Sequence, residues 1–200
     1  YTTLFRSGML EQMASDEMLF RFTSDPKWAE NCEDVTFNTY PAAFMPDQKA
    51  LRYLTAPNMA VSDSKDHHPG IDNDGPYLMM NPFSSRCCQH NHSSGWVYYA
   101  ENLTMATPDD GLAAVFYSTS ITKAAVGARG DTVRVQEETH YPFEENVAFT
   151  MHLRKPVRFP FYLRVPTWAE GAEVMVNDRP IDAKGSSGKY VRLERNWKEG

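Results

Sequence analysis

The hydrophobic pattern of this chain changes its period once, near residue 108. Before that point, apolar residues recur every three or four positions, as they do in amphipathic helices. After it, apolar and polar residues alternate, as they do in strands with one buried face. Because the two periods require different elements, the chain must build helices first and sheet afterwards. The pattern predicts a two-domain α+β protein with its boundary near residue 108.

Three helices are predicted in the first half. The first begins at Gly8 and ends at Ser24. Asp25 is a favourable N-cap, and Pro26 suits the first position of a second helix. Ser94 is a favourable N-cap for a third helix. The predicted apolar faces consist of Leu10, Met13, Ala14, Met18 and Phe22 in the first helix, Trp28, Cys32 and Val35 in the second, and Trp96, Tyr99, Ala100 and Leu103 in the third.

The segment between the second and third helices, residues 41–92, is interrupted by prolines and glycines throughout. These residues break helices and strands, so we expect a long ordered loop rather than regular elements. Such loops commonly carry functional residues. His67 and His68 lie in its proline- and aspartate-rich part and are interpreted as solvated loop histidines rather than metal ligands.

The second half contains several alternating segments separated by short turns, which is typical of an antiparallel β-sandwich. Tyr141, Trp168 and Trp197 are interpreted as core between the sheets rather than as a sugar-binding platform. The apolar members of the segments are Val133 and Val135; Val147, Phe149, Met151 and Leu153; Phe159, Phe161, Leu163 and Val165; and Val174 and Val176.

Composition excludes several classes of partner. The net charge is -6, the pI is about 5.5, and no basic run is present that could neutralise phosphates, so nucleic acid is not an expected partner. No apolar run is long enough to span a bilayer, so we expect no membrane association. A neutral ligand fits this balance better. The oligomeric state and the cellular compartment are not determined by the sequence.

The segment from Ser84 to Asn91 contains two adjacent cysteines, Cys87 and Cys88, among polar residues. A free cysteine is usually buried as a small apolar residue. A vicinal pair beside Arg86 and His90 therefore predicts thiolate chemistry or metal ligation. With three cysteines in all, a disulfide framework is not indicated, and the metal and nucleophile interpretations both stay open.

The third cysteine, Cys32, is interpreted as packing. Glu30-Asn31-Cys32 has the form of a Glu-x-Cys metal motif. However, Cys32 shares its apolar face with Trp28 and Val35, which favours a place in the core.

Taken together, several short motifs resemble glycoside hydrolase family 127, the β-L-arabinofuranosidase-like proteins. The resemblance implies the C-terminal helices of an (α/α)6 barrel over residues 8–107, followed by a truncated antiparallel β-sandwich domain over 108–200. The chain is therefore interpreted as an internal fragment of a longer protein. The motifs are Trp28-Ala29-Glu30, Glu33-Asp34-Val35-Thr36-Phe37-Asn38, Cys87-Cys88 with Asn91, Tyr98-Tyr99-Ala100-Glu101-Asn102, Thr139-His140-Tyr141-Pro142-Phe143, Leu163-Arg164-Val165-Pro166-Thr167-Trp168 and Trp197-Lys198-Glu199-Gly200.

The resemblance also implies a chemistry. The family site is similar to a zinc centre of three cysteines and one glutamate, in which the first cysteine of the vicinal pair is also the nucleophile. By position, Cys87 would be nucleophile and zinc ligand, and Cys88 a zinc ligand. Zinc lowers the pKa of a bound thiol, which gives a thiolate at neutral pH. Residues expected on the substrate side are Glu33, Tyr53, His90 and Asn91.

Two features depart from the family pattern. The remaining two ligands form a Glu-x-Cys motif, and ungapped alignment through Glu33 places Phe5 and Ser7 at those positions. Residues 1–7 read like the translated end of a sequencing adapter and are interpreted as a non-native scar. The family's general acid/base glutamate has no counterpart in this chain. We therefore expect an incomplete zinc site and no hydrolysis by the chain alone.

The resulting hypothesis is a fragment of a retaining glycosidase that acts on L-arabinofuranosides or a related plant-type sugar. Its partner would be a carbohydrate substrate. Two alternatives stay open: a non-catalytic carbohydrate-binding or scaffold protein of the same fold, and the same chemistry on a different sugar.

Overall fold

The computed structural model describes residues 4–55, 61–63, 65, 87–181 and 187–200, with the side chains of residues 4–6 and 55 excluded. His67, His68 and Arg86 lie outside the described residues. The described helices are α1 (Arg6–Thr23), α2 (Pro26–Asp34), α3 (Cys87–Asn91) and α4 (Ser94–Glu101), with a π-helical turn at Val35–Thr39 and a 3₁₀ turn at Pro41–Ala43. Among the described helices, none combines the length and the hydropathy of a membrane span.

The described strands range from two to nine residues. They are β1 (Leu4–Phe5), β2 (Leu54–Thr55), β3 (Thr104–Ala106), β4 (Leu112–Ala114), β5 (Ser120–Val126), β6 (Asp131–Thr139), β7 (Val147–His152), β8 (Val157–Val165), β9 (Met175–Val176), β10 (Arg179–Pro180) and β11 (Lys189–Trp197).

The chain forms two compact units. The helical unit comprises Tyr1–Thr23 and Asn31–Tyr99, and the strand unit comprises Ser24–Glu30 and Ala100–Gly200. The first turns of α2 therefore belong to the strand unit, although the sequence pattern assigns them to the helical half. This is a mixed helix and sheet fold, as the change of period predicts.

The buried face of α1 differs from the predicted stripe. Leu10 and Met13 are buried as predicted, but Met18 is 58% and Phe22 is 80% exposed. The buried face instead includes the acidic residues Asp16 and Glu17. The Glu17 carboxylate accepts a hydrogen bond from the thiol of the buried Cys32 at 3.6 Å. The full buried face is Met9, Leu10, Met13, Asp16, Glu17 and Phe20.

Helix α2 begins at Pro26, as predicted, and the carboxylate of Asp25 accepts a hydrogen bond from the backbone N–H of Lys27. Cys32 has no exposed surface, and burial raises the pKa of its thiol far above the ordinary value. Its interpretation as a packing residue is confirmed.

Helix α4 begins at Ser94, where the N-cap was predicted, and buries Tyr99. Trp96, which was expected on the same buried face, is 47% exposed. Gly95 lets α4 approach α1: a Cβ atom there would lie 2.8 Å from Leu10 Cδ2 and from Tyr40 Cε2. Any larger residue at position 95 would require the side chains of Leu10 and Tyr40 to move.

Two sheets dominate the strand unit. One has the strand order β11-β8-β4-β3 and the other β5-β6-β7. The expectation of wholly antiparallel pairing is wrong at one place, since β4 pairs with β8 in parallel. One core cluster draws residues from both sheets: Leu112, Ala114, Tyr117, Val126, Val133, Val135, Met151, Leu153, Val157, Phe159 and Phe161.

The aromatic residues of the strand unit divide between core and surface. Trp197 packs against the core cluster, and its indole N–H donates to the carbonyl of Phe159 at 2.9 Å. Trp168 was expected in the core but is 55% exposed, and its ring stacks on Tyr141 at 5.9 Å between centroids.

A buried ion pair ties the α2 segment of the strand unit to its sheet. Arg164 on β8 is fully buried; its guanidinium contacts Glu30 Oε1 at 2.5 Å and donates to the carbonyl of Val115 at 2.5 Å. Thr167 Oγ1 also donates to Glu30 Oε2 at 2.9 Å. The carboxylate that resembled a metal motif in the sequence is therefore a structural anchor.

Replacing Arg164 by alanine is expected to lower the free energy of unfolding by about 3–5 kcal/mol, because it leaves the Glu30 carboxylate without its cation. Urea unfolding of the 200-residue chain measures this. Arg192→Ala is the matched control: its ion pair with Glu194 is exposed and should contribute about 1 kcal/mol or less. A loss for Arg164→Ala no greater than for the control would contradict the anchoring role.

Candidate active site

The vicinal cysteines open the short helix α3 and differ sharply in exposure. Cys87 is exposed, whereas Cys88 has no exposed surface. Cys88 packs into a small core cluster of the helical unit, with Ala43, Leu51, Tyr53 and Leu54. One thiol is therefore accessible to solvent, whereas its neighbour packs in the core of the helical unit.

Tyr53 fixes the environment of Cys87. Its side chain is buried, and its hydroxyl oxygen lies 3.5 Å from Cys87 Sγ. This hydrogen bond holds the pKa of the Cys87 thiol below its ordinary value, and smaller contributions come from Cys88 and Ser7. A hydroxyl that donates to sulfur stabilises the thiolate, which is the nucleophilic form.

Cys88 is shifted in the opposite direction. Burial raises the pKa of its thiol, and hydrogen bonds from Ser7 only partly offset this effect. The backbone N–H of Ser7 lies 3.4 Å and its hydroxyl oxygen 3.2 Å from Cys88 Sγ. The two neighbouring thiols are therefore shifted in opposite directions, and Cys87 is the one in which the thiolate is favoured.

The structure joins some of the predicted site residues directly. Asn91 Nδ2 donates to Ser7 Oγ at 3.4 Å, which places Asn91 beside the cysteine pair. His90 is exposed on α3, and Glu33 is buried on α2. Contacts within the site thus link Cys87, Cys88, Tyr53 and Asn91.

Ser7 is a site residue that the sequence interpretation set aside with the residues of the scar. Its backbone is the second residue of α1, and its side chain contacts both Cys88 and Asn91. The signal that could have found it was the alignment, which places Ser7 where the family pattern has a cysteine ligand.

The donors present do not complete a zinc centre. Zinc sites in proteins use four ligands, or three ligands and a water. Around Cys88 the described side chains offer two thiols and the hydroxyl of Ser7. Across the described ranges, no group of three histidine, cysteine, aspartate or glutamate side chains could hold a metal ion. The residues at this site therefore do not fit the full family metal set.

An open cavity of about 730 Å³ lies in the helical unit beside α3. The ring of Tyr40 stacks on the ring of His92 at 4.4 Å between centroids, and its hydroxyl donates to the His92 carbonyl. Trp96 meets the Tyr40 ring edge-on. The cavity therefore has an aromatic lining, as small-molecule pockets commonly do.

Comparison with known families assigns almost the whole chain. Residues 8–101 match the catalytic domain of the GH127 β-L-arabinofuranosidases, and residues 111–200 match the GH127 middle domain of the same enzymes. A comparison with curated protein sequences finds no significant match.

Solved structures share the fold. A glycoside hydrolase has a TM-score of 0.75 at 22% identity, covering 98% of this chain and 31% of its own. A GH127 β-L-arabinofuranosidase from Geobacillus stearothermophilus T6 has a TM-score of 0.74 at 20% identity, and the match covers 96% of this chain and 29% of that protein. A further GH127 β-arabinofuranosidase has a TM-score of 0.74 at 17% identity, and the match covers 98% of this chain and 31% of that protein. The chain thus spans about a third of the length of these structures.

Proposed function

The chain belongs to glycoside hydrolase family 127, and from this membership we propose that it forms part of a retaining glycosidase whose nucleophile is Cys87. The observation that carries the proposal is the pairing of an exposed thiol with the Tyr53 hydroxyl at 3.5 Å. This hydrogen bond lowers the pKa of the Cys87 thiol, which favours the nucleophilic thiolate.

The proposed chemistry has two steps. The Cys87 thiolate attacks the anomeric carbon, the bond from that carbon to the leaving oxygen breaks, and an acid protonates the leaving oxygen. Water then attacks the same carbon and gives a proton to the conjugate base of that acid, the carbon–sulfur bond breaks, and the thiolate and the acid are both regenerated. Two inversions at one carbon give overall retention. Tyr53 stabilises the thiolate before the first step and after the second.

The proposed substrates are L-arabinofuranosides or a related plant-type sugar. Support comes from the matched catalytic and middle domains and from the arabinofuranosidases with the same fold. Asn91, beside the cysteine pair, is proposed to contact the sugar hydroxyls, together with Glu33 and His90.

We propose that the helical unit corresponds to the last helices of an (α/α)6 barrel and the strand unit to a β-sandwich domain. The general acid would come from a part of a longer GH127 protein outside residues 8–200. The 200-residue chain alone is then inactive, because protonation of the leaving oxygen has no assigned donor.

We propose zinc binding only for GH127 proteins that carry all four metal ligands. This chain has Cys87 and Cys88 but Phe5 and Ser7 at the two other positions. The same shortfall favours a second candidate function, a non-catalytic carbohydrate-binding protein of the family fold. The two candidates are separated by the reactivity of Cys87.

The test is selective alkylation of the 200-residue chain. At pH 7, iodoacetamide should modify Cys87 at least tenfold faster than Cys88 or Cys32, since only Cys87 is both exposed and lowered in pKa. Tyr53→Phe should slow this labelling about fivefold and move its pH midpoint upward, as expected for losing a hydrogen bond of about 1 kcal/mol. Peptide mass mapping gives the three rates.

Tyr162→Phe is the control, since it removes a hydroxyl from the strand unit and should leave the labelling rate unchanged. Equal rates for Cys87 and Cys88, or no effect of Tyr53→Phe, would contradict an activated thiol and favour the non-catalytic candidate.

A further inference from the structure

Three basic residues stand in one row across the sheet β5-β6-β7. Lys123 pairs with Arg134, and Arg134 pairs with His152, so the three side chains are direct cross-strand neighbours. Lys123 and Arg134 are exposed. The row spans two strand spacings, about 10 Å, a distance that a short stretch of a sugar chain can bridge.

Like charges in direct cross-strand pairs lower stability, so this row is not explained by the fold. No carboxylate of the described residues forms an ion pair with Lys123, Arg134 or Arg154. The nearby carboxylate of Asp131 is already engaged by Lys155 at 2.7 Å and by Arg129 at 3.5 Å. Glu199, which contacts His152, also interacts electrostatically with Arg134. The cleft lining contains two lysines and two arginines against the two carboxylates of Asp131 and Glu199, so basic groups outnumber acidic ones there, in a chain whose net charge is -6.

The row lines an open cleft of about 850 Å³, which Arg154 and Lys155 also border. Glu199 fixes one wall: its carboxylate accepts the backbone N–H of Leu153 at 2.6 Å and contacts His152 Nδ1 at 2.9 Å. His152 Nε2 is buried and has no hydrogen-bond partner among the described residues. The exposed donors of the cleft are therefore the Lys123 ammonium and the Arg134 guanidinium, while His152 forms part of its floor.

We infer that this cleft, bordered by Lys123, Arg134, His152 and Arg154, binds a carboxylate-bearing glycan. The inference rests on the proposed function for the glycan and on charge complementarity for the carboxylates. Guanidinium and ammonium groups are the usual partners of carboxylates in proteins. The negative net charge repels long polyanions such as nucleic acid, so a local cationic row favours a ligand of lower charge density.

The test measures binding of the 200-residue chain to polygalacturonate by isothermal titration. Fully methyl-esterified polygalacturonate is the matched neutral polymer, and a single-stranded oligothymidylate is the alternative polyanion. We expect binding to polygalacturonate that weakens with added salt, at least tenfold weaker binding to the esterified polymer, and weaker binding to the oligonucleotide.

A variant with Lys123→Gln, Arg134→Gln and Arg154→Gln should bind polygalacturonate at least tenfold more weakly. The control variant Arg179→Gln, Lys189→Gln and Arg195→Gln removes the same charge from exposed positions outside the cleft and should change affinity less than twofold. Equal loss in both variants, equal affinity for the esterified polymer, or tighter binding of the oligonucleotide overturns the inference.

The test of glycan binding in the cleft is independent of the test of Cys87 as the nucleophile. Cys87→Ser should leave polygalacturonate binding unchanged, because the cleft contains no residue of the cysteine site. If Cys87 is alkylated selectively but polygalacturonate does not bind, only the proposed glycan site is wrong. If polygalacturonate binds but Cys87 is not selectively reactive, only the proposed nucleophile is wrong.

Discussion

Cys87→Ser is expected to abolish glycoside hydrolysis in a protein of full GH127 length that contains residues 8–200 and a complete ligand set. Loss of a catalytic nucleophile costs roughly four orders of magnitude in kcat or more. Serine keeps the size of the side chain, but its hydroxyl is not ionised near neutral pH. Release of p-nitrophenol from p-nitrophenyl β-L-arabinofuranoside measures the effect.

Cys32→Ala provides the matched control, because it also removes a thiol but from the packed interior of α2. Its kcat should stay within a few fold of the parent. Activity that survives Cys87→Ser, or that falls equally in Cys32→Ala, would contradict a specific role for the exposed sulfur. Activity on another glycoside, lost in the same variant, would preserve the chemistry and change the sugar.

Phe5→Glu combined with Ser7→Cys is expected to convert the 200-residue chain into a stoichiometric zinc binder with nanomolar or tighter affinity, in the range of structural zinc sites. In a tetrahedral centre with Zn–S bonds of about 2.3 Å, two sulfurs lie roughly 3.8 Å apart. Ser7 Oγ already lies 3.2 Å from Cys88 Sγ. The backbone of Phe5 pairs with Leu54, the neighbour of Tyr53.

Metal analysis after dialysis gives the number of zinc ions per chain, and competition with a chelator gives the affinity. Adding Cys88→Ser to the double variant should weaken zinc binding at least a hundredfold, since it removes one ligand. A double variant that retains no zinc would contradict the placement of positions 5 and 7 beside the cysteine pair. Tight stoichiometric zinc in the unmodified chain would contradict the incomplete donor set.

Local sequence signals were reliable where a single residue controls the backbone. Pro26 and Ser94 mark the observed starts of α2 and α4, and Cys32 is buried as its apolar face indicates. The vicinal cysteines were recognised as chemically unusual, and their hydrogen-bonded neighbour Tyr53 came from the family resemblance. Short-range propensity predicted the helix starts, and a distinctive motif indicated the cysteine pair.

The features that the sequence did not predict depend on contacts between residues far apart in the chain. The burial of Arg164 against Glu30 joins residues far apart in sequence, and a charged residue in an alternating strand gives no sign of it. The row of Lys123, Arg134 and His152 exists only through strand register, so a search for basic runs cannot find it. On α1, the contact between Glu17 and Cys32 draws an acidic residue into the buried face, which departs from the apolar stripe.

The central claim is that the sulfur of Cys87 bonds to the sugar, and acid quenching during turnover tests it most directly. A full-length GH127 protein that contains this segment is mixed with an activated L-arabinofuranoside, quenched within milliseconds to seconds, digested and mapped by mass. We predict one anhydropentose attached to the peptide that carries Cys87, absent in Cys87→Ser. A sugar attached to a carboxylate side chain, or an adduct that persists in Cys87→Ser, would contradict the account.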